Sequence, residues 1–192
     1  MNFKYKFGMP EVIAMIVGTM FLVVVGFALR SAAIPYAVET EAIVIVLIAA
    51  LFGATAGGIV AVAASILYLV MFQFNADFVH IVAFVLMAMG IGHYAGDFGI
   101  REGTFNIKSA VEFCVVHLLL EGLIWMFFIP FFTFLLKREN LYDLIDAGTT
   151  SLLFTILADV ILIPVFILIS IFVSKWKIYK KNAPRRGLLN NR

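Results

Sequence analysis

Long apolar runs separated by short polar joints dominate the chain. Residues 109–136 and 147–174 are each long enough to cross a bilayer, since about 20 apolar residues span the ~30 Å hydrocarbon core. Four further apolar segments precede them: 12–29, which stops at Arg30, then 42–52, 59–74 and 78–96. The segment 42–52 is short for a span. A polar connection from Ser31 to Glu41, with Pro35 inside it, separates the first two segments. The run Gly53-Ala54-Thr55-Ala56-Gly57-Gly58 breaks the second helix and turns directly into the third. The pattern predicts an all-α membrane protein of six transmembrane helices forming a single integral membrane domain, with a basic tail over 175–192.

Composition agrees with that pattern. Hydrophobic residues make up 64% of the 192 and charged residues 14%, against roughly 25% charged in soluble domains. The mean hydropathy is +1.08. The length suits one domain and leaves no room for an ATPase module. No glycine-rich loop followed by Lys and Ser/Thr is present to cradle phosphates. Cys114 is the single cysteine, which excludes an internal disulfide and a cysteine metal site. Lys4 and Lys6 precede a run that continues for a full span, so the start is read as a membrane helix rather than a cleaved leader.

Charge supplies the expected orientation. With six spans both termini share a side, and that side carries every Lys and Arg except Arg30, Lys137 and Arg138. Lys/Arg excess marks the cytoplasm, so both termini are expected there, in a multi-pass protein of the cell membrane. The outer joints then hold Glu39, Glu41, Asp77, Glu139, Asp143 and Asp146. The basic run Lys175–Arg186 is explained by orientation and by anionic lipid of the bilayer, without invoking nucleic acid.

Against this apolar background Glu121 and Asp159 stand out, because a charge at mid-membrane depth costs about 2.5–3.5 kcal/mol or more and usually faces the bundle interior. Positions four apart share a helix face, so His117, Glu121 and Trp125 form one stripe and Ser151, Thr155 and Asp159 a second. If these helices are neighbours, the stripes line one pocket. Trp125 and Phe84 would supply its aromatic wall, and Glu121, Asp159 and Thr155 its fixed polar groups. His80 and Asn75 would cap it. Each residue also has a plainer role open to it. Glu121 and His117 could pair along their own helix, and Trp125 could be ordinary packing. Asp159, five residues before Pro164, could repair a helix whose backbone the proline disrupts. His80 divides between loop cap and ligand contact. His93 and Asp97 read as structural or partner-facing. No metal is expected, because His80, His93 and His117 fall at different depths and no His-x-x-x-His or His-Glu-x-x-His run exists. Nor does a Ser/His or paired-Asp arrangement suggest intramembrane hydrolysis, so neither an enzyme nor a cofactor is expected.

Several stretches carry a resemblance. Ala49-Ala50-Leu51-Phe52-Gly53-Ala54-Thr55-Ala56-Gly57 is similar to an Ala-Leu-Phe-Gly-Pro-x-Ala-Gly turn, with Ala54 in place of the proline. Gly99-Ile100-Arg101-Glu102-Gly103-Thr104-Phe105 is similar to a Glu-Gly-x-Phe loop, and Trp125 and Pro130 add a Trp and a Pro on the fifth helix. In this order, on a six-span chain, the landmarks resemble the S-components, the substrate-binding membrane subunits of energy-coupling factor (ECF) vitamin transporters, of the riboflavin-type branch. His117 and Glu121 stand where related members carry amides, a departure that bears on the substrate.

The resemblance implies capture of a small water-soluble vitamin or precursor from outside. A riboflavin-like heteroaromatic suits the aromatic supply, and an amine-bearing ligand suits the acids. It implies partnership with a transmembrane coupling subunit and two ATPase subunits, with no catalysis by this chain. It places Tyr36 in an outer loop that closes over the ligand, and Ala14 and Gly18 on a first-helix face that meets the coupling subunit. Small residues at that spacing equally let helices pack within one chain. Two other classes stay open. Multi-span input regions of histidine kinases carry a turn like Phe52-Gly53-Ala54-Thr55-Ala56-Gly57. A proton-coupled carrier could use Glu121 and Asp159 as relays, although such carriers usually show two related halves and none is visible here.

Overall fold

The computed structural model describes residues 8–32, 37–72 and 78–182, and these are almost wholly helical. Eight helices follow in order: α1 (Met9–Ser31), α2 (Ala37–Phe52), α3 (Ala54–Phe72), α4 (Phe78–His93), a single turn α5 (Ala95–Phe98), α6 (Ile107–Leu123), α7 (Ile129–Lys137) and α8 (Leu141–Asn182). A π-helical turn, Ile124–Phe128, joins α6 to α7, so that Ile107–Lys137 forms one continuous rod. Four helical stretches are long and apolar enough to cross a membrane: Met9–Ser31, Ala54–Met71, Ile107–Lys137 and Leu141–Lys177. Helices α2 and α4 have 16 residues each, about 24 Å at 1.5 Å per residue.

Helix α2 is the centre of the bundle. It packs against α1, α3, α4 and α8, and Ile45, Val46, Ala49 and Ala50 are essentially inaccessible. A helix apolar on all sides belongs in such a position. The polar joint expected from Ser31 to Glu41 is shorter than the sequence suggested, because α2 already begins at Ala37. Glu39 and Glu41, read as residues of an outer joint, are helical. Their charges misled the hydropathy pattern, but both are accommodated: Glu41 is buried on Arg30, and Glu39 accepts a hydrogen bond from Ser151 Oγ at 2.6 Å.

Gly53 ends α2 at φ +90°, a conformation that glycine adopts without a Cβ penalty, and α3 starts at the next residue rather than at Ile59. Beyond this turn α3 lies against both α2 and α4 through small side chains. A Cβ on Gly57 would meet those of Ala49 and Ala88, and one on Gly92 would strike the Ala54 backbone. In membranes, where lipid competes for apolar surface, such close approach is a main source of helix association.

Polar pins hold both ends. At one end Glu11 closes the first turn of α1 on the Gly8 amide and reaches Arg101 Nη1 at 2.6 Å, while the Arg101 guanidinium lies over the Phe52 ring. The loop containing Arg101 is tied to α8, since Ser170 Oγ accepts from the Phe105 amide and Lys177 Nζ donates to the carbonyl of Glu102. At the other end Arg30 forks onto both oxygens of Glu41 at 2.9 and 2.8 Å and sits above the Tyr68 ring, whose hydroxyl donates to the Leu22 carbonyl. Gly26 makes room for this cluster, because a Cβ there would collide with the Tyr68 hydroxyl and come within 2.5 Å of Glu41 Oε1.

Gly26→Ala is therefore expected to lower stability by about 2–4 kcal/mol, through overpacking and loss of the Arg30–Glu41 fork. Gly58→Ala, where an added Cβ meets nothing within 4 Å, should be neutral or gain up to about 1 kcal/mol from helix propensity. Thermal melts in one detergent compare the two, and equal midpoints would contradict the crowding at Gly26.

Candidate functional site

The two stripes foreseen on the last long helices do face each other. The inner face of the α6–α7 rod carries Phe113, His117, Glu121, Trp125, Ile129 and Thr133, all buried. The inner face of α8 carries Ser151, Thr155, Asp159, Leu162, Phe166 and Ser170, likewise buried. Between them His117 Nδ1 meets Asp159 Oδ1 at 2.6 Å, and His117 Nε2 lies 3.3 Å from Glu121 Oε1. One imidazole thus stands between two carboxylates. His117 and Glu121 are 1% and 2% exposed, so bulk water does not screen the group.

Geometry decides among the roles left open by the sequence. The pairing of His117 with Glu121 along one helix is present, but the shorter contact crosses to α8. Asp159 spends an oxygen on His117, a tertiary role rather than local repair near Pro164. Pro164 itself is exposed on the outer face of α8, which runs through it as helix. Thr155 donates to the Ser151 carbonyl at 3.2 Å, and Ser151 in turn holds Glu39. A polar file therefore runs along α8 from Glu39 and Ser151 past Thr155 to Asp159, His117 and Glu121.

Two atoms of the centre are buried without a hydrogen-bond partner, Glu121 Oε2 and His117 Nε2, as is Thr133 Oγ1 further along the rod. Buried polar atoms are nearly always satisfied, and each exception asks for a reason. Trp125 follows Glu121 by one turn, is buried, and its ring stands 5.9 Å from that of His80 on α4, tilted by 58°. Phe84 belongs to the same continuous buried cluster as Trp125. The structure thus brings together His117, Glu121, Asp159 and Thr155 on one side and Trp125 with His80 on another. Tyr36 and Asn75 lie outside the described residues.

The π turn explains how Trp125 is placed. Pro130 has no N–H and crowds the preceding turn, and the chain responds by closing the Ile129 amide on the Ile124 carbonyl, five residues back. Such bulges are often found at functional positions. Gly148 on α8 allows the close approach of that turn, since a Cβ there would strike the Trp125 carbonyl. Sequence reading placed Ser151 on the second stripe but missed Gly148 and Glu39 as supports; the i, i+3 spacing of Gly148 and Ser151, ahead of Thr155 and Asp159, was the available signal.

The first-helix residues line one groove. Gly18 is buried at the floor of an apolar groove between α1 and α2, where a Cβ would crowd Ile48. Ala14 is half-buried on the wall of that groove, about 570 Å³ in volume, with Ile13, Val17 and Leu51. His93 and Asp97 lie at the junction of α4 and α5, where the His93 ring meets Tyr94 edge-on. Among the described residues no group of three or more His, Cys, Asp and Glu side chains is arranged to hold a metal ion.

No family model, curated protein or solved structure matches this chain.

A double-mutant cycle checks the centre. His117→Gln and Asp159→Asn should each destabilise the protein, and together should cost less than their sum by about 1–3 kcal/mol, as expected for groups in contact. Additivity to within about 0.5 kcal/mol would mean that the pair is not made in the protein.

Proposed function

We propose that the chain is a six-span, substrate-capture subunit of an ECF-type importer, with both termini in the cytoplasm. It takes a small water-soluble vitamin or precursor from outside and hands it to a transmembrane coupling subunit driven by two ATPases. The observation that carries this reading is the buried Glu121 carboxylate, 3.3 Å from His117 and unsatisfied at its second oxygen, within an apolar bundle and flanked by Trp125. Acids inside membrane helices mark substrate or ion paths, and an aromatic wall with a few convergent polar groups is the usual make-up of a small-molecule site. The ordered resemblance in the turn at Gly53, the loop from Gly99 to Phe105 and the Trp125–Pro130 pair supports the importer role in particular. The basic residues at the end of the bundle that carries Arg101 and Lys177 support the orientation. Helices α2 and α4 serve as the two shorter spans, with α2 shielded from lipid by its neighbours.

On aromatic supply alone the substrate is a heteroaromatic of riboflavin type, whereas the acids suit an amine-bearing heteroaromatic. A second reading has its own support: His117 between two carboxylates is also the wiring of a proton relay, which would make the chain a proton-coupled carrier. Mass spectrometry of the small molecule retained by the detergent-purified protein separates the two. A stoichiometric vitamin establishes capture; an empty protein that transports when reconstituted alone establishes the carrier.

Trp125→Ala should weaken retention of that molecule at least tenfold while assembly with a coupling subunit persists; unchanged retention would remove Trp125 from the site. Ala14→Leu, which fills part of the groove between α1 and α2, should impair assembly and leave retention intact. Normal complex formation by that variant would dismiss the first-helix interface.

A further inference from the structure

We propose, building on the capture reading, that Glu121 receives the positively charged nitrogen of a flat organic cation, so that the ligand carries a protonated amine or amidine on an aromatic ring. The pairing of side chains leads there. The centre holds two carboxylates, Glu121 and Asp159, and His117 is the sole cationic side chain paired with either of them among the described residues. Two acid side chains thus share one basic partner, and no second basic side chain pairs with Glu121 among the described residues.

The remaining cationic side chains near the core are engaged elsewhere: Arg30 on Glu41 and Arg101 on Glu11. A buried acid without a partner of its own is costly, and a ligand cation supplies that partner where it is missing. Hydrogen bonding points to the same atom. Glu121 Oε1 faces His117, whereas Oε2 is buried with no donor, so an N–H from a bound cation would complete it. Trp125, one turn along, offers the electron-rich face that attracts an ammonium or amidinium group. The tilted His80 ring widens that aromatic wall. An anionic or uncharged ring would leave Glu121 without a basic partner of its own, which separates this class from an uncharged flavin-like ring.

The test uses two probes of the same outline that differ in charge, benzamidine and benzamide, titrated calorimetrically into the full-length protein in detergent micelles. Benzamidine should bind at least tenfold more tightly than benzamide. Glu121→Gln should abolish that preference, and Glu121→Asp should retain part of it. Equal affinities, a preference for benzamide, or binding of neither probe would overturn the proposal. If Glu121→Gln fails to fold, the comparison on the unaltered protein still decides. A protein that retains a neutral vitamin yet shows no benzamidine preference loses this ligand class and keeps the capture role. One that retains nothing and binds neither probe loses both.

Discussion

The contact between His117 and Asp159 ties the two longest apolar rods of the chain together, and it shows the constraint under which the whole bundle is built. Lipid competes with protein for apolar surface, so burial alone gives helices little reason to prefer one another in a membrane. Polar groups have no such freedom, because an unpaired one in hydrocarbon is costly. The polar pairs here accordingly join segments far apart in the chain: Glu11 to Arg101, Glu39 to Ser151, His117 to Asp159, and the Phe105 amide to Ser170. Each fixes the register of one helix against another. Small residues do the rest, with Gly57, Gly92, Ala49 and Ala88 allowing α2, α3 and α4 to close up.

Within that frame Glu121 is unlike the other buried acids. Glu41 has both oxygens taken by one guanidinium, and Glu11 divides its two between Arg101 and the Gly8 amide. Such acids are complete as parts of the fold. Glu121 has a histidine on one oxygen and nothing on the other, and that histidine is shared with Asp159. A bundle that satisfies its structural acids so fully at both ends leaves one oxygen of this acid without a partner.

Much of this was legible in the residues. The helical character, the turn at Gly53 and the polar stripes on α6 and α8 follow from hydropathy and from the i, i+4 rule, whereas the meeting of the two stripes follows only from the packing. The start of α2 was not legible, because Glu39 and Glu41 look like loop residues until Ser151 and Arg30 are placed beside them, and those partners lie on other helices. The same limit hid the link between His117 and Asp159, 42 positions apart. A helix face can be read from one segment, but a partner across the bundle needs the packing. Gly18 shows the converse, since small-residue spacing is blind to whether the neighbour is Ile48 of the same chain or another protein.

The two prolines of the stripe-bearing helices illustrate why local chemistry matters at the site. Pro164 faces outward, and α8 absorbs it without a change of helix type. Pro130 is buried, and the turn before it widens into a π-helix over Ile124–Phe128. In a regular α-helix each step of four residues overshoots a full turn by about 40°, so a stripe begun at His117 would drift off the inner face before reaching Thr133. The wider turn rotates the chain back. Trp125, Ile129 and Thr133 therefore stay on the face that Glu121 occupies, and Trp125 is carried toward His80 rather than toward the exterior. The proline that costs the helix a hydrogen bond is thus what keeps an aromatic ring beside the open carboxylate.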